Sequence, residues 1–422
     1  MIERIKALFK GGFFHVLGST FINKIIAFVA NIAIVRILTK HDYGVFTGAF
    51  NVFFIVFLFS GIGIANGILY FCSKDIPRDE KKSFYAWSLR FGLLTEALLS
   101  LAILLYGLLG NVGIEETRKY IISLAVLPFI NFMFDYFAII LRAEKDNKKY
   151  SLLLNIHSVM YAGFAIIGAL VAGIWGTIAG RYLAYIGAAV IGYIFCKKYA
   201  DVSWRGRLNR EQVIDLTKYS VKAGITSALN VILYRLDVMV ITLVVADASI
   251  LASYKTGTQL PENMNFIPQC LMVYYVPLFV QHLGDVGWIK QKTKEIYLLA
   301  GGISIVLGVG MYILAPQIVH LLWGGGYLDA VPCMRILTIS FVILSTFRIT
   351  STNILLSLKR AGYTMVVSLI TGVANIGLDV WLTVQHGSIG AAWATLIVTV
   401  LASLMSFPYV LYIVYSGKKK YE

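Results

Sequence analysis

The sequence predicts an all-α, polytopic integral membrane protein with twelve transmembrane helices in two six-helix bundles. Composition, the spacing of apolar runs and an internal repeat lead there. Of 422 residues, 58% are hydrophobic and only 14% are charged, against about 25% charged in ordinary soluble domains. The mean hydropathy is +0.76. The net charge of +15 could suggest nucleic acid, but the basic residues fall in short clusters between apolar runs, as membrane topology requires. No basic stretch interleaved with aromatics sits on a soluble domain, so nucleic acid is not an expected partner. Cys72, Cys196, Cys270 and Cys333 show neither CxxC spacing nor His/Cys clustering, which points to no disulfide framework and no zinc site.

A span needs about 20 apolar residues. Candidates run over 13–38, 45–71, 88–110, 119–141, 151–173, 175–196, 219–246, 254–281, 297–322, 332–357, 364–384 and 389–415. The connections leave no room for a soluble domain. The N-terminal residues through Gly12 read as a short basic amphipathic lead-in, and the first apolar run as a retained span, not a signal peptide. With the N-terminus and every even-numbered connection on one side, that side holds 27 of the 37 Lys and Arg residues. The other side holds Lys40, Arg118, Lys119 and Lys255. By the positive-inside rule both termini are cytoplasmic, and the even helix count agrees.

Three landmarks recur at a nearly constant offset. Tyr43 matches Tyr254, 211 residues on; Tyr150 in LeuArgAlaGluLysAspAsnLysLysTyr matches Tyr363 in LeuSerLeuLysArgAlaGlyTyr, 213 on; Gly176 matches Gly390, 214 on. The chain therefore reads as an N-terminal six-helix bundle over 1–200 and a C-terminal one over 201–422, joined by the basic segment Lys197–Lys222. An even number of spans per half makes the halves parallel repeats, which usually enclose a substrate path and alternate access by rocking.

In the first span, Thr20, Asn23, Lys24, Ala27 and Asn31 recur at steps of three and four along one stripe, with Ile, Phe and Val opposite. A lone cation at Lys24's depth costs roughly 2.5–3.5 kcal/mol on insertion scales, so it is expected to face a bundle interior or wet cavity. The seventh span carries Ser220, Ser227, Asn230, Tyr234 and Asp237 along one stripe, with Arg235 beside it. Arg235 and Asp237 point about 160° apart on a helix and cannot neutralise each other. The tenth span places Thr338, Ser345, Arg348 and Thr352 on one face. Lys24, Arg90, Arg235 and Arg348 together suit a cationic cavity for an anionic group such as phosphate, Arg binding it bidentately and Lys as a point charge. The competing reading pairs each cation with a buried acid as a helix staple. Arg36 and Arg335 sit near outer span ends, where snorkelling accounts for them; Arg181 lies between the two cases.

Asp237, Glu96 and Asp379 are candidates for proton or cation coupling, because intramembrane carboxylates often mark ion relays; the alternative is a counter-ion role. Asp135 and Glu262 are further span acids, and His157 reads as a packing or lumen residue. Pro261 and Pro268, with Gly301, Gly302, Gly308 and Gly310, should bend or loosen the eighth and ninth spans. Gly324–Gly326 is no phosphate loop, since no GxxxxGK[ST] pattern follows. HExxH, GxSxG and paired carboxylates in a sizeable loop are all missing, so the sequence offers catalysis no seat and calls for no cofactor.

ValArgIleLeuThrLysHisAspTyrGlyValPhe at 35–46 resembles the signature of the oligosaccharide flippases of the polysaccharide-biosynthesis (Wzx, O-antigen/capsule) family, within the multidrug/oligosaccharidyl-lipid/polysaccharide superfamily. ArgLeuAspValMetValIle at 235–241, Tyr254 and LeuLysArgAlaGlyTyr at 358–363 echo it in the second half. The resemblance implies a MATE-like, V-shaped two-bundle transporter of the inner (plasma) membrane, not an enzyme. Such a protein moves undecaprenyl-pyrophosphate-linked oligosaccharide from the cytoplasmic to the outer leaflet, driven by an ion gradient (Na+ or H+) or the membrane potential, as a monomer. Cationic lumen residues in such proteins engage pyrophosphate or acidic sugars, which by position carries over to Lys24, Arg90, Arg235 and Arg348. Two alternatives stand beside it: a cation-coupled multidrug exporter of the same superfamily, and a membrane glycan polymerase or lipid-linked glycosyltransferase. Lipid II flippases typically have fourteen helices, against the twelve expected here.

Overall fold

Long runs of Leu, Ile, Val and Phe leave a backbone in lipid no hydrogen-bond partner but itself, which favours helix for every long segment. The computed structural model describes residues 13–74, 76–199, 206–232 and 236–416, and among these all regular structure is helical. The protein is an all-α, polytopic membrane protein. Among the described residues, seven helical segments are long and apolar enough to cross a bilayer, and a bent pair over 115–143 makes an eighth. The chain divides into two compact units, Met1–Arg235 and Leu236–Glu422.

The first unit contains α1 (Phe13–Ile37), α2 (Lys40–Phe57), α3 (Ile64–Cys72), α4 (Arg78–Leu109), α5 (Arg118–Ser123), α6 (Leu127–Ala143), α7 (Asn147–Cys196) and α8 (Arg210–Ile232). Thr39 starts α2, its hydroxyl accepting from the Asp42 amide at 3.1 Å. Between α2 and α3 the chain breaks over Ser60–Gly63, where Gly61, Ile62 and Gly63 take φ of 54°, 45° and 79°. Glycine enters this region freely, whereas a β-branched residue does so only when its surroundings force it. A side chain on Gly63 would strike the backbone of Ser220 and Gly224 on α8, so the break and α8 are packed backbone to backbone. Beyond it, Ile64, Ile68, Phe84, Phe132, Tyr136 and Leu153 form a core.

Helix α7 is two antiparallel arms. Ala172 leaves helical geometry and Gly173 takes φ 55°, ψ −130°. A Cβ on Gly168 would meet the Gly176 carbonyl, and one on Gly176 the Gly168 carbonyl, a contact possible only if the chain has doubled back. Each arm has enough residues to run about 35 Å, longer than a hydrocarbon core is thick.

The second unit contains α9 (Leu236–Val240), α10 (Ala248–Met264), α11 (Phe266–Gln281), α12 (Val286–Ile313), α13 (Ala315–Trp323), α14 (Val331–Ile343), α15 (Thr350–Ser357) and α16 (Ala361–Tyr415). Helix α9 runs on through a π-helical turn, Ile241–Val245. Asp247 caps α10 by accepting from the Ser249 and Ile250 amides at 2.8 and 3.0 Å. α10 and α11 join at Asn265, between Pro261 and Pro268. A second π-helical turn, Leu344–Ile349, links α14 to α15, and the Thr350 hydroxyl donates to the Ser345 carbonyl there at 3.0 Å. Helix α16 reverses at Gly387, φ 57°, ψ −138°, 214 residues after Gly173 and in nearly the same conformation. A Cβ on Gly390 would meet the Leu382 carbonyl, as one on Gly176 meets that of Gly168.

Candidate functional site

Two polar clusters stand out, one inside each unit. In the second unit, α9 presents Asp237 half-buried. Its Oδ2 accepts from the Tyr254 hydroxyl on α10 at 2.8 Å and from the Thr395 hydroxyl on α16 at 3.0 Å. Tyr254 is buried, and so is Asp379, on the other arm of α16. Asp379 faces Asp237 and Asn375 at hydrogen-bonding range. Neither Asp379 oxygen completes a well-aligned hydrogen bond, however, and Asp237 Oδ1 is buried without one. Two carboxylates facing each other repel unless positive charge lies between them. The donor set is entirely oxygen: carboxylates, hydroxyls and an amide. That is the chemistry of a hard cation or a proton, not of a thiophilic metal. Among the described residues no group of three or more His, Cys, Asp or Glu gathers in metal-binding geometry.

In the first unit, the cluster centres on Arg181, on the second arm of α7. Its guanidinium carbon lies 4.3 Å from the ring centre of Phe50, 5.3 Å from that of Phe54 and 4.7 Å from that of Tyr161. Arg181 Nε is buried without a hydrogen bond. His157, on the first arm, stacks on Phe134 at 4.4 Å and packs tilted against Tyr185 at 4.5 Å; its Nε2 is likewise buried and unpartnered. Stacking on aromatic faces is worth about 0.5–2 kcal/mol to a guanidinium. Leaving a buried charged donor without an acceptor costs more than about 1–3 kcal/mol, and a guanidinium carries five such N–H groups. The ring contacts therefore hold Arg181 in place without satisfying it.

The other expected residues are spread through the fold. Glu96, on α4, is fully buried and holds the α2–α3 break: its Oε1 accepts from the Ser60 hydroxyl at 2.6 Å and the Gly61 amide at 2.8 Å. Arg90 donates through its guanidinium to the Gly206 carbonyl, and through Nε to the Ala86 carbonyl at 3.3 Å, anchoring the segment that leads into α8. Lys24 is exposed on α1 among exposed Phe21, Ile22, Ile25 and Val29, while Ser19, on the same helix, donates to Asn155 Oδ1 on α7 at 2.6 Å. Arg348 sits half-buried in the π-helical turn. Arg235, with Tyr234, lies outside the described residues. Arg335 donates to the Tyr312 carbonyl at 3.2 Å, and Glu262 pairs with Lys255 at 3.2 Å. Asp237 and Asp379 are thus brought together, while Glu96 is held through Oε1 at the α2–α3 break, its Oε2 buried without a hydrogen bond.

Sequence reasoning passed over Tyr254, Asn375, Thr395 and the ring cage of Arg181. One signal could have found them. The 214-residue offset that superposes Gly173 on Gly387 carries Tyr161, Ala165 and Arg181 onto Asn375, Asp379 and Thr395. The two clusters occupy matching positions of the two halves.

The profile of the polysaccharide biosynthesis protein family matches residues 8–281, more than half of the chain. The chain belongs to this family. Among its relatives, the EPS I polysaccharide export inner membrane protein EpsE of Ralstonia solanacearum is 22% identical over 341 residues, covering 77% of this chain and 76% of EpsE. The fold matches an inward-facing multidrug resistance MATE family transporter of the MOP superfamily, with a TM-score of 0.75 at 14% identity over 93% and 95% of the two chains. It matches the lipid II flippase MurJ in an inward closed conformation equally well, 0.75 at 16% identity over 94% and 87%. A MOP superfamily transporter from Pyrococcus furiosus follows at 0.63 and 15% identity, over 95% of each chain. At such identities these likenesses show a common fold.

Proposed function

We propose that this member of the polysaccharide biosynthesis protein family is a flippase. It carries an oligosaccharide linked to undecaprenyl pyrophosphate from the cytoplasmic to the outer leaflet of the inner membrane, through twelve spans with both termini cytoplasmic. It works by alternating access as a monomer, with Lys24, Arg90, Arg235 and Arg348 attracting the pyrophosphate. Family membership carries the reading. The polysaccharide-export relative EpsE and the shared fold of the lipid II flippase MurJ support it. The driving ion, Na+ or H+, binds at Asp237 and Asp379, where two carboxylates face each other beside the hydroxyls of Tyr254 and Thr395. Neutralising that pair by a cation or proton lowers the cost of moving the unit's polar interior through the cycle. Glu96 contributes by holding the α2–α3 break and not by carrying the ion.

The test is translocation in proteoliposomes of a fluorescent lipid-pyrophosphate glycan, read by accessibility in each leaflet under imposed Na+ or H+ gradients. Wild type is expected to move the lipid faster with a gradient than without. Lys24→Ala and Arg348→Ala are expected to slow it about tenfold each, the size of one lost charge-assisted contact. Wild-type rates in both, at equal expression, would remove the cations from the substrate path. Drug efflux without glycan movement would turn the assignment to a cation-coupled exporter.

A further inference from the structure

Arg181 is half-buried, eight residues beyond the Gly173 reversal, about 12 Å along the helix from it. Among the described residues no carboxylate pairs with it, and no carbonyl or hydroxyl accepts from it. Phe50 and Phe54 reach it from α2 and Tyr161 from the first arm of α7. These rings surround the guanidinium carbon at 4.3–5.3 Å, and their apolar carbons offer its N–H groups no hydrogen-bond acceptor oxygen. Arg181 Nε and His157 Nε2 are both buried and both unpartnered, and both flank Tyr161: the Arg181 carbon is 4.7 Å from that ring centre and the imidazole 6.5 Å from it. Nearby, Tyr185 takes a hydrogen bond from Asn131. The site is lined by rings and donors, and a carboxylate near it, Asp135, interacts with Tyr185.

We propose that Arg181, with His157 and Tyr161, forms an oxyanion-binding site inside the first unit, the polarity-inverted counterpart of the acid cluster in the second. Where the second unit has Asn375, Asp379 and Thr395, the first has Tyr161, Ala165 and Arg181; the carboxylate is replaced by a methyl group and a hydroxyl by a guanidinium. The ligand is a phosphate-type or carboxylate oxyanion. A planar guanidinium held among aromatic rings binds such a group through its paired N–H groups. On the flippase reading, the oxyanion belongs to the transported lipid, either its pyrophosphate link or an acidic sugar of its glycan. The oxyanion site itself does not depend on that reading.

The experiment uses the purified full chain in detergent, with unfolding midpoint followed against inorganic pyrophosphate, glucuronate and, as the neutral control, glucose. A ligand that binds the folded state raises the midpoint in proportion to its saturation. Pyrophosphate or glucuronate is expected to raise the wild-type midpoint, and Arg181→Gln is expected to need at least tenfold more ligand for the same rise. A response to pyrophosphate alone identifies the lipid link, to glucuronate alone an acidic sugar, and to both a general oxyanion site; each supports the proposal. No response of the wild type to either anion, or an equal response in Arg181→Gln, overturns it, as does a response to glucose matching theirs. If Arg181→Gln does not fold, Arg181→Lys keeps the charge but not the planar fork. A several-fold weaker response there supports the proposal, and an unchanged one overturns it. Wild type that binds anions through Arg181 but moves no lipid-linked glycan rejects the flippase reading and leaves the site standing.

Discussion

The two units build polar clusters of opposite charge on matching hairpins. In the second, Asp237 and Asp379 meet around hydroxyls that can only strengthen a negative site, since Tyr254 and Thr395 both donate to Asp237. In the first, Tyr43 donates to the neutral amide oxygen of Asn31 at 3.2 Å, the position corresponding to Asp379 is a buried alanine, and Arg181 is held by rings. The two hairpins share their backbone reversal at Gly173 and Gly387 while the side chains around them differ in charge. The clusters differ in their side chains, and not in the helices that carry them.

The acids sharpen this contrast. Glu96 is bonded to the break it stabilises, whereas Asp379 is bonded to nothing of good geometry. Glu96→Ala should therefore act on stability. It strands the Gly61 amide and the Ser60 hydroxyl and opens a void, a loss of about 3–4 kcal/mol, measurable as a lower denaturation midpoint in detergent. An unchanged midpoint would put Glu96 on the functional side with Asp379. Thr395→Arg gives the second unit the first unit's guanidinium, beside Asp237. It should form an ion pair there and cut gradient-driven translocation about 100-fold, the upper range of ligand coupling energies, with folding retained. Gradient dependence like that of the wild type would break the comparison at its centre. The smallest effects are expected at the hairpins. Gly176→Ala and Gly390→Ala each push a methyl group against a carbonyl of the opposite arm and should cost about 2 kcal/mol apiece. Markedly unequal midpoint shifts would show that the two reversals are not equivalent.

Much of the fold was legible because it rests on local rules. Apolar runs of bilayer length announce helices. The Gly176–Gly390 offset pointed to the same 214-residue register in which the reversals at Gly173 and Gly387 are found. The site was legible only in part, because its residues meet across long sequence separations. Asp237 and Asp379 could be flagged singly as intramembrane acids, but nothing local says that α9 and α16 bring them together. Arg90 could be flagged as a span cation, but nothing local places the Gly206 carbonyl, 116 residues away, beside it. Arg181 looked ambiguous because its cage comes from α2 and the other arm of α7. Glu96 looked like an ion carrier, yet the GlyIleGly run at 61–63 already called for something to hold a left-handed turn.

The glycine contacts of the two long hairpins have a practical consequence for watching the protein move. Arms that touch carbonyl to Cα at Gly168–Gly176 and at Leu382–Gly390 cannot slide or splay without losing that fit, so each hairpin is a built-in fixed length. Spin labels on the two outward faces of one hairpin should report a constant separation through every step of transport, giving any measurement of changing distances a calibrated zero within the same molecule.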